Sequence, residues 1–211
     1  MQFTADQVWA CAVAADRING GYIKEPVYDF NVDQRNPVKQ ANKAIVKQWL
    51  RESTFAAVTE EDHVKGREIR NYFNGLTLKV LSGKITDFER TALKIAQKDE
   101  FTGRDMLDFA VVSCLPEAAR RNQQRSDEKR EIYHSEQLQG AEGDTIVGDI
   151  TVVRSRFNPE YNRYKIYARM GESFVDFWFP RAVEGELRIK GKIKALRGDK
   201  TTALNYVKIT G

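Results

Sequence analysis

Residue types that build metal sites and disulfides are scarce in this sequence. It has only two cysteines, Cys11 and Cys114, which lie far apart on apolar helical patterns where buried free thiols are the usual case. Its two histidines, His63 and His134, have no cysteine or histidine partner at zinc-ligand spacing. These absences argue against a disulfide scaffold and a zinc site, and they favour a reducing compartment such as a cytoplasm.

The sequence also lacks the motifs of common nucleotide-dependent and hydrolytic enzymes. It contains no GxxxxGK[ST] phosphate loop, no GxSxG elbow and no GxGxxG turn before a helix. We therefore expect no enzymatic activity and no cofactor. Carboxylates cluster at Asp29 with Asp33, at 60–62 and at Asp87 with Glu89, so a magnesium-dependent nuclease is an alternative to test. Acidic residues near a helix start are more simply explained by the helix dipole.

Long apolar runs are absent as well. No stretch of eighteen apolar residues offers a membrane span, and the opening MQFTADQVW has no basic segment followed by an apolar one. We expect no membrane partner, no secretory signal and a cytoplasmic location, which would be the host cytoplasm if the protein is viral. With 41% hydrophobic and 30% charged residues, the composition is that of a globular protein rather than a disordered chain.

Positive charge is concentrated at one end of the chain. Residues 1–140 hold 21 basic and 21 acidic residues, whereas residues 141–211 hold 13 basic and 9 acidic ones, so the whole net charge of +4 lies in the last third. An excess of this size is also ordinary surface charge for a small domain. If the protein has a polyanionic partner, this part is expected to meet it.

Apolar residues recur at helical spacing before residue 140 and alternate with polar residues after it. A helix is predicted to start at Pro37, and another from Met106 is predicted to end at Pro116. A third helix is predicted to start after Thr59, with an extension past Gly75 toward Leu81 left open, and 21–36 is predicted to be a loop. Three helix starts, including the one after Thr59, carry capping boxes, formed by Thr4 with Gln7, Thr59 with Asp62, and Thr86 with Glu89.

The segment 117–139 is almost wholly polar. We interpret it as a charged helix that frays into a linker, because its basic residues alternate with acidic ones. The predicted organisation is α+β, with a helical domain at 1–135, a linker at 136–143 and a five-stranded β-barrel at 144–211. The basic residues of this segment are Arg120, Arg121, Arg125, Lys129 and Arg130.

Five short strands are predicted after Asp144, separated by turn signals such as Asn158-Pro159 and Gly198-Asp199. The first strand is long and contains Gly148, where a bend would let it pair in both halves of a small closed barrel. The large rings of such a barrel fill its interior. Those assigned to the core are Tyr164, Phe174, Phe177 and Phe179, whereas Tyr206 is assigned to neither core nor surface.

This pattern resembles the OB-fold, a Greek-key barrel of five strands used by many proteins that bind single-stranded nucleic acid. The resemblance rests on the kinked strand TIVGDITVVRSRF, the hairpin RYKIYARMGESFVDFWF, and the closing pair GELRIKGKIKAL and TTALNYVKI. The usual helix between strands three and four is reduced to PRAVEG. A helical N-terminal part followed by GKIKALRGDKTTALNYVKI also resembles bacteriophage early proteins of unassigned role.

Alternation along these strands predicts a cationic surface with exposed rings. If the aliphatic residues of LRIKGKIK point inward, the basic residues between them point outward at a repeat of about 7 Å. Alternating lysines also serve to protect a strand edge from aggregation. The residues predicted to bind nucleic acid are Arg163, Lys165, Tyr167, Arg169, Trp178, Arg188, Lys190, Lys192, Lys194, Arg197 and Lys200.

The sequence thus predicts a protein that binds single-stranded nucleic acid, DNA rather than RNA, with little sequence preference. A role in phage-type replication, recombination or transcription is the expected setting. The helical domain would contact another protein of that process or a second copy of the chain. The alternative is a protein-binding adaptor or inhibitor that docks a host or viral protein without touching nucleic acid, because OB-like barrels do not dictate their ligand.

Overall fold

A computed structural model describes residues 1–29 and 36–210 of the chain. Residues 30–35, which belong to the predicted loop 21–36 and include Asp33, lie outside the described residues. The chain divides into two compact units, Met1–Gln123 and Gln124–Gly211. The division falls within a helix, and the predicted linker at 136–143 stays a prediction. Within the described residues, no helix is both long enough and apolar enough to span a bilayer.

The first unit is built from helices and one small sheet of two antiparallel strands. This sheet, β1 (Gln2–Thr4) paired with β2 (Glu100–Thr102), was not predicted from the sequence. The helices are α1 (Ala5–Asn19), α2 (Asn42–Glu52), α3 (Glu60–Asn74), α4 (Thr77–Leu81), α5 (Asp87–Ala96), α6 (Met106–Val112) and α7 (Leu115–His134), the last of which continues into the second unit.

The predicted capping boxes are present at the N-termini of α1, α3 and α5. The predicted positions of three helix termini, one start and two ends, were wrong. The second helix begins at Asn42 rather than Pro37, and α3 ends at Asn74, so that Leu81 belongs to the separate helix α4. Pro116 does not end a helix but lies in the first turn of α7, where its missing N–H has no helical partner to lose.

The core of the first unit is centred on α1, whose side chains are buried on nearly every face. Trp9 and Phe73 pack together in it, with ring centroids 6.3 Å apart. Gly66 of α3 lies against the α1 backbone, and a Cβ atom there would be 3.0 Å from the nitrogen of Ala10. The absence of a side chain at Gly66 therefore allows α1 and α3 to approach closely.

The second unit contains the C-terminal turns of α7 and a closed β-barrel of five strands. The strand order around the barrel is β3-β4-β5-β7-β6, and pairing of β6 with β3 closes it. All strand pairs are antiparallel except β5 with β7. This barrel is consistent with an OB-like fold and confirms the predicted α+β class. The strands are β3 (Thr145–Asn158), β4 (Arg163–Met170), β5 (Ser173–Phe179), β6 (Glu186–Leu196) and β7 (Thr201–Ile209).

The predicted alternation holds in β6, where Ile189 and Ile193 are buried in the barrel and the basic residues between them are exposed. Phe177 is also in the barrel core. Phe174, predicted to be there as well, is buried on the opposite face of β5. It shares a small cavity with Glu128 and Ile132 of α7, so this helix covers the ring from outside.

Candidate nucleic-acid interface

A β-bulge in β3 determines which of its side chains face outward. Register shifts between Val152 and Arg154, so that Val152 pairs with Ala168 and Arg154 pairs with Tyr167. The extra residue changes the parity of the strand, because successive side chains point to opposite faces. Arg154 and the residue two further on, Arg156, therefore lie on the same face as the outward side chains of β4.

Arg156, Lys165 and Trp178 form one row across three strands on this face. Arg156 pairs with Lys165, and Lys165 pairs with Trp178. The Lys165 Nζ lies 5.1 Å from the centroid of the indole ring, which is within the range of a cation–π contact. Tyr161, from the β3–β4 turn, has its ring centroid 5.1 Å from that of Trp178. Trp178 is 37% exposed, so part of the residue is open to solvent.

Arg156, Lys165 and Trp178 line an open cavity of about 310 Å³. Its wall is cationic and aromatic: Arg154 lies over the Tyr167 ring with 4.6 Å between the guanidinium carbon and the ring centroid. Arg154 also pairs with Glu128 of α7 at 3.1 Å. The lining residues are Arg154, Arg156, Phe157, Asn158, Pro159, Lys165, Tyr167 and Trp178, and we call this site the β3–β5 pocket.

A buried carboxylate holds two cations beside the β3–β5 pocket. Asp176 is 1% exposed and accepts hydrogen bonds from Lys165 and from Arg197, whose Nη2 lies 3.2 Å from the carboxylate. The cluster keeps one positive charge, because two cations share one carboxylate. Burial, together with the like charges of Arg197 and Lys194, lowers the pKa of Lys165 to about 8.

The predicted lysine row on β6 is exposed. Lys190, Lys192 and Lys194 all point away from the barrel core, and none makes an ion pair with a carboxylate of the described residues. Three ammonium groups without a protein counterion are the arrangement that attracts a polyanion. As a set they place unneutralised positive charge along one strand.

The β6 row and the β4–β5 hairpin do not lie on adjacent strands. In the barrel order, β3 separates them on one side and β7 on the other. The two surfaces are connected at one end of β6, where Arg197 contacts Asp176 and Lys194 lies near enough for its charge to affect Lys165. The cationic surface therefore continues from the β3–β5 pocket to the β6 row across β7.

Several of the other predicted residues have partners within the protein. Arg169 contacts Glu172 at 3.4 Å, and Arg188 contacts Asp149 at 3.3 Å. Lys200 donates hydrogen bonds to carbonyl oxygens at the C-terminal end of α7, those of Tyr133 at 2.7 Å and Ser135 at 3.0 Å. Lys200 is therefore positioned to cap the C-terminal end of α7. Arg163, by contrast, is exposed and has no ion pair with the described residues.

Sequence reasoning did not identify Arg154, Arg156 or Tyr161 as site residues. The two arginines were assigned to no face. Strict alternation from Val152 along VVRSRF would place both of them inward. The paired valines in this stretch are the one sequence signal of the bulge, since two consecutive apolar residues break the period of a strand. Tyr161 joins the site through the turn at Asn158, which no strand pattern describes.

The acidic clusters and thiols show no comparable arrangement. Among the described residues, no group of three or more histidine, cysteine or carboxylate side chains has the spacing to hold a metal ion. Burial raises the pKa of Cys11 to about 12, and the Cys114 pKa is raised for the same reason.

Comparison of the chain with known protein families, curated proteins and solved structures finds no match in any of the three.

Proposed function

We propose that the second unit binds single-stranded nucleic acid, with DNA as the expected form, on the outer face of its barrel. The observation that carries the proposal is the row of Arg156, Lys165 and Trp178, in which a partly exposed indole lies beside Lys165 and follows two cations. Bases stack on such rings whatever their identity, and each stack is worth ~1 to 3 kcal/mol. The lysines of β6 then supply contacts to phosphates.

Single strands fit this site better than a duplex does. A ring that stacks on a base needs the base to be unpaired and turned out from its neighbours. Stacking accepts any base, so the binding is expected to depend little on sequence. A role in phage-type replication, recombination or transcription fits this activity and belongs to the same proposal, as does a protein partner or self-association for the helical unit.

Titration of the full chain with labelled oligonucleotides tests the proposal. Single-stranded DNA, single-stranded RNA and duplex DNA of equal length are compared by fluorescence anisotropy at about 50 and 200 mM salt. The proposal predicts micromolar or tighter binding to single strands, weakened by salt and stronger than binding to duplex. Absence of binding to all three would favour the adaptor function, and cleavage in the presence of magnesium would favour a nuclease.

A further inference from the structure

A second β-bulge exposes an aromatic ring on β7. Lys190 of β6 pairs with Lys208, and Lys192 pairs with Asn205, so that Tyr206 and Val207 together face Gly191 alone. Two residues opposite one define a bulge. Tyr206 takes a positive φ of 52° there, and its side chain is 79% exposed.

Packing on the inner side of this bulge explains why the ring turns outward. A Cβ atom on Gly191 would lie 3.0 Å from Cγ2 of Val207 and 3.4 Å from the carbonyl oxygen of Asn205. Because Gly191 has no side chain, Val207 packs over it against the barrel core. The preceding residue, Tyr206, is then directed to solvent.

Folding alone does not account for a tyrosine at position 206. The left-handed region disfavours a bulky residue, and glycine is the usual first residue of a bulge with this conformation. The Tyr206 ring makes no hydrogen bond, ring stacking or cation–π contact with any described residue. Residues in strained backbone conformations cluster at active and binding sites, and here the strained residue exposes an aromatic ring.

The surroundings of Tyr206 supply positive charge. Lys190 and Lys208 form a cross-strand pair on one side of the bulge, and Lys192 lies on the other side. All three are exposed and have no ion pair within the described part of the chain. Like charges opposite each other destabilise a strand pair, so Lys190 with Lys208 also has no explanation in the fold.

We infer that Tyr206 is a second base-stacking platform, at which Lys190, Lys192 and Lys208 hold the neighbouring phosphates of a single strand. The inference rests on the proposed function and adds a site on β6 and β7 that is separate from the β3–β5 pocket. Tyr206 would contact the ligand directly, and the strain at its backbone would be retained for binding rather than for stability.

Two variants of the full chain separate stacking from structure. Tyr206→Gly removes the ring and relieves the left-handed strain, whereas Tyr206→Phe retains the ring without the hydroxyl. We expect Tyr206→Gly to bind single-stranded oligonucleotide roughly fivefold or more weakly. Its Tm is expected to be at least that of the wild type. Tyr206→Phe is expected to bind as the wild type does.

An oligomer of abasic sugar-phosphate units gives a readout that a purely structural role would not change. This probe offers phosphates without bases, so the wild type and Tyr206→Gly are expected to bind it equally. Wild-type affinity of Tyr206→Gly for the normal oligonucleotide would overturn the inference, as would equal losses for both probes. If Trp178→Ala weakens binding while Tyr206→Gly does not, the inference fails and the proposed function stands. If the wild type binds neither probe, both fail.

Discussion

The ammonium of Lys165 and the indole of Trp178 lie opposite each other on β4 and β5, with 5.1 Å between Nζ and the ring centroid. This pair places a positive charge and a stacking surface side by side, which are the two features needed to bind a nucleotide unit. Because Asp176 lies buried beneath, it holds the lysine in place through a hydrogen bond.

Truncation of Trp178 is expected to weaken binding without unfolding the barrel. Trp178→Ala removes one stacking surface, which is worth ~1 to 3 kcal/mol of binding free energy, so the Kd should rise at least roughly fivefold. The side chain is partly exposed, and Tm should change little. Oligonucleotide titration and thermal unfolding measure the two effects. Trp178→Phe is the matched control and should retain most of the affinity.

Binding is expected to weaken as pH rises from 7 to 9. The pKa of Lys165 lies at about 8, below its ordinary value of 10.5, so the free protein loses this proton within that range. A phosphate prefers the protonated lysine, and affinity should therefore be constant below about pH 7 and fall by up to about tenfold per pH unit above pH 8. Lys165→Arg keeps its charge and should show a flatter profile. Identical profiles for the two proteins would contradict a direct role for Lys165.

Neutralising the β6 row is expected to reduce the salt dependence of binding. The triple variant Lys190→Ala, Lys192→Ala, Lys194→Ala removes three phosphate contacts, and each contributes about 0.7 to the slope of log K against log salt for single strands. The slope should become shallower by roughly 2. An unchanged slope would show that the strand does not follow β6.

Three exposed lysines of the first unit provide a matched control for this triple variant. Lys65, Lys84 and Lys94 carry the same charge and make no ion pair with the described residues. Their replacement by alanine changes the net charge by the same amount but leaves the barrel intact. We expect the salt slope of this control to match that of the wild type. Attraction between the protein's net charge and the oligonucleotide contributes less to the slope than direct phosphate contacts at the site.

Prediction from sequence succeeded where a period of two residues was unbroken. In β6, the inward positions alternate with exposed basic residues as far as the register shift at Ile193–Ala195, and the inward and outward sets were assigned correctly. In β3 and β7, bulges at Val152–Arg154 and at Tyr206 change the parity, and the residues beyond them could not be assigned to a face by counting. Both bulges bear on the candidate site, so sequence reasoning was weakest there.

Partners of the predicted cations could not be read from the sequence either. Asp176 lies on the outward face of β5 yet is buried, because Lys165 of β4 and Arg197 of the β6–β7 turn close over it. The burial of Phe174 has a similar cause, since α7 covers it. Contacts between distant segments of the chain determine both, whereas capping boxes, which depend on residues three apart, were predicted correctly.

The close approach of α1 and α3 gives a prediction about stability. In Gly66→Ala the new Cβ meets backbone atoms of Trp9 and Ala10 at 3.0 Å. Overpacking costs about 2 kcal/mol, which exceeds the gain of about 1 kcal/mol from replacing a helical glycine. The free energy of unfolding of the first unit should fall by about 1 kcal/mol, measured by chemical denaturation. Gly103→Ala is the control, because nothing lies within 4 Å of a Cβ there.

Photocrosslinking locates the bound strand most directly. An oligonucleotide carrying 5-iodouracil is irradiated with the full chain, and the attached peptides are identified by mass spectrometry. We expect Trp178 on β5 to carry a crosslink, and we expect an excess of unlabelled single strand to suppress it. Crosslinks confined to residues 1–123, at full occupancy of the complex, would contradict the claim that the outer face of the barrel binds nucleic acid.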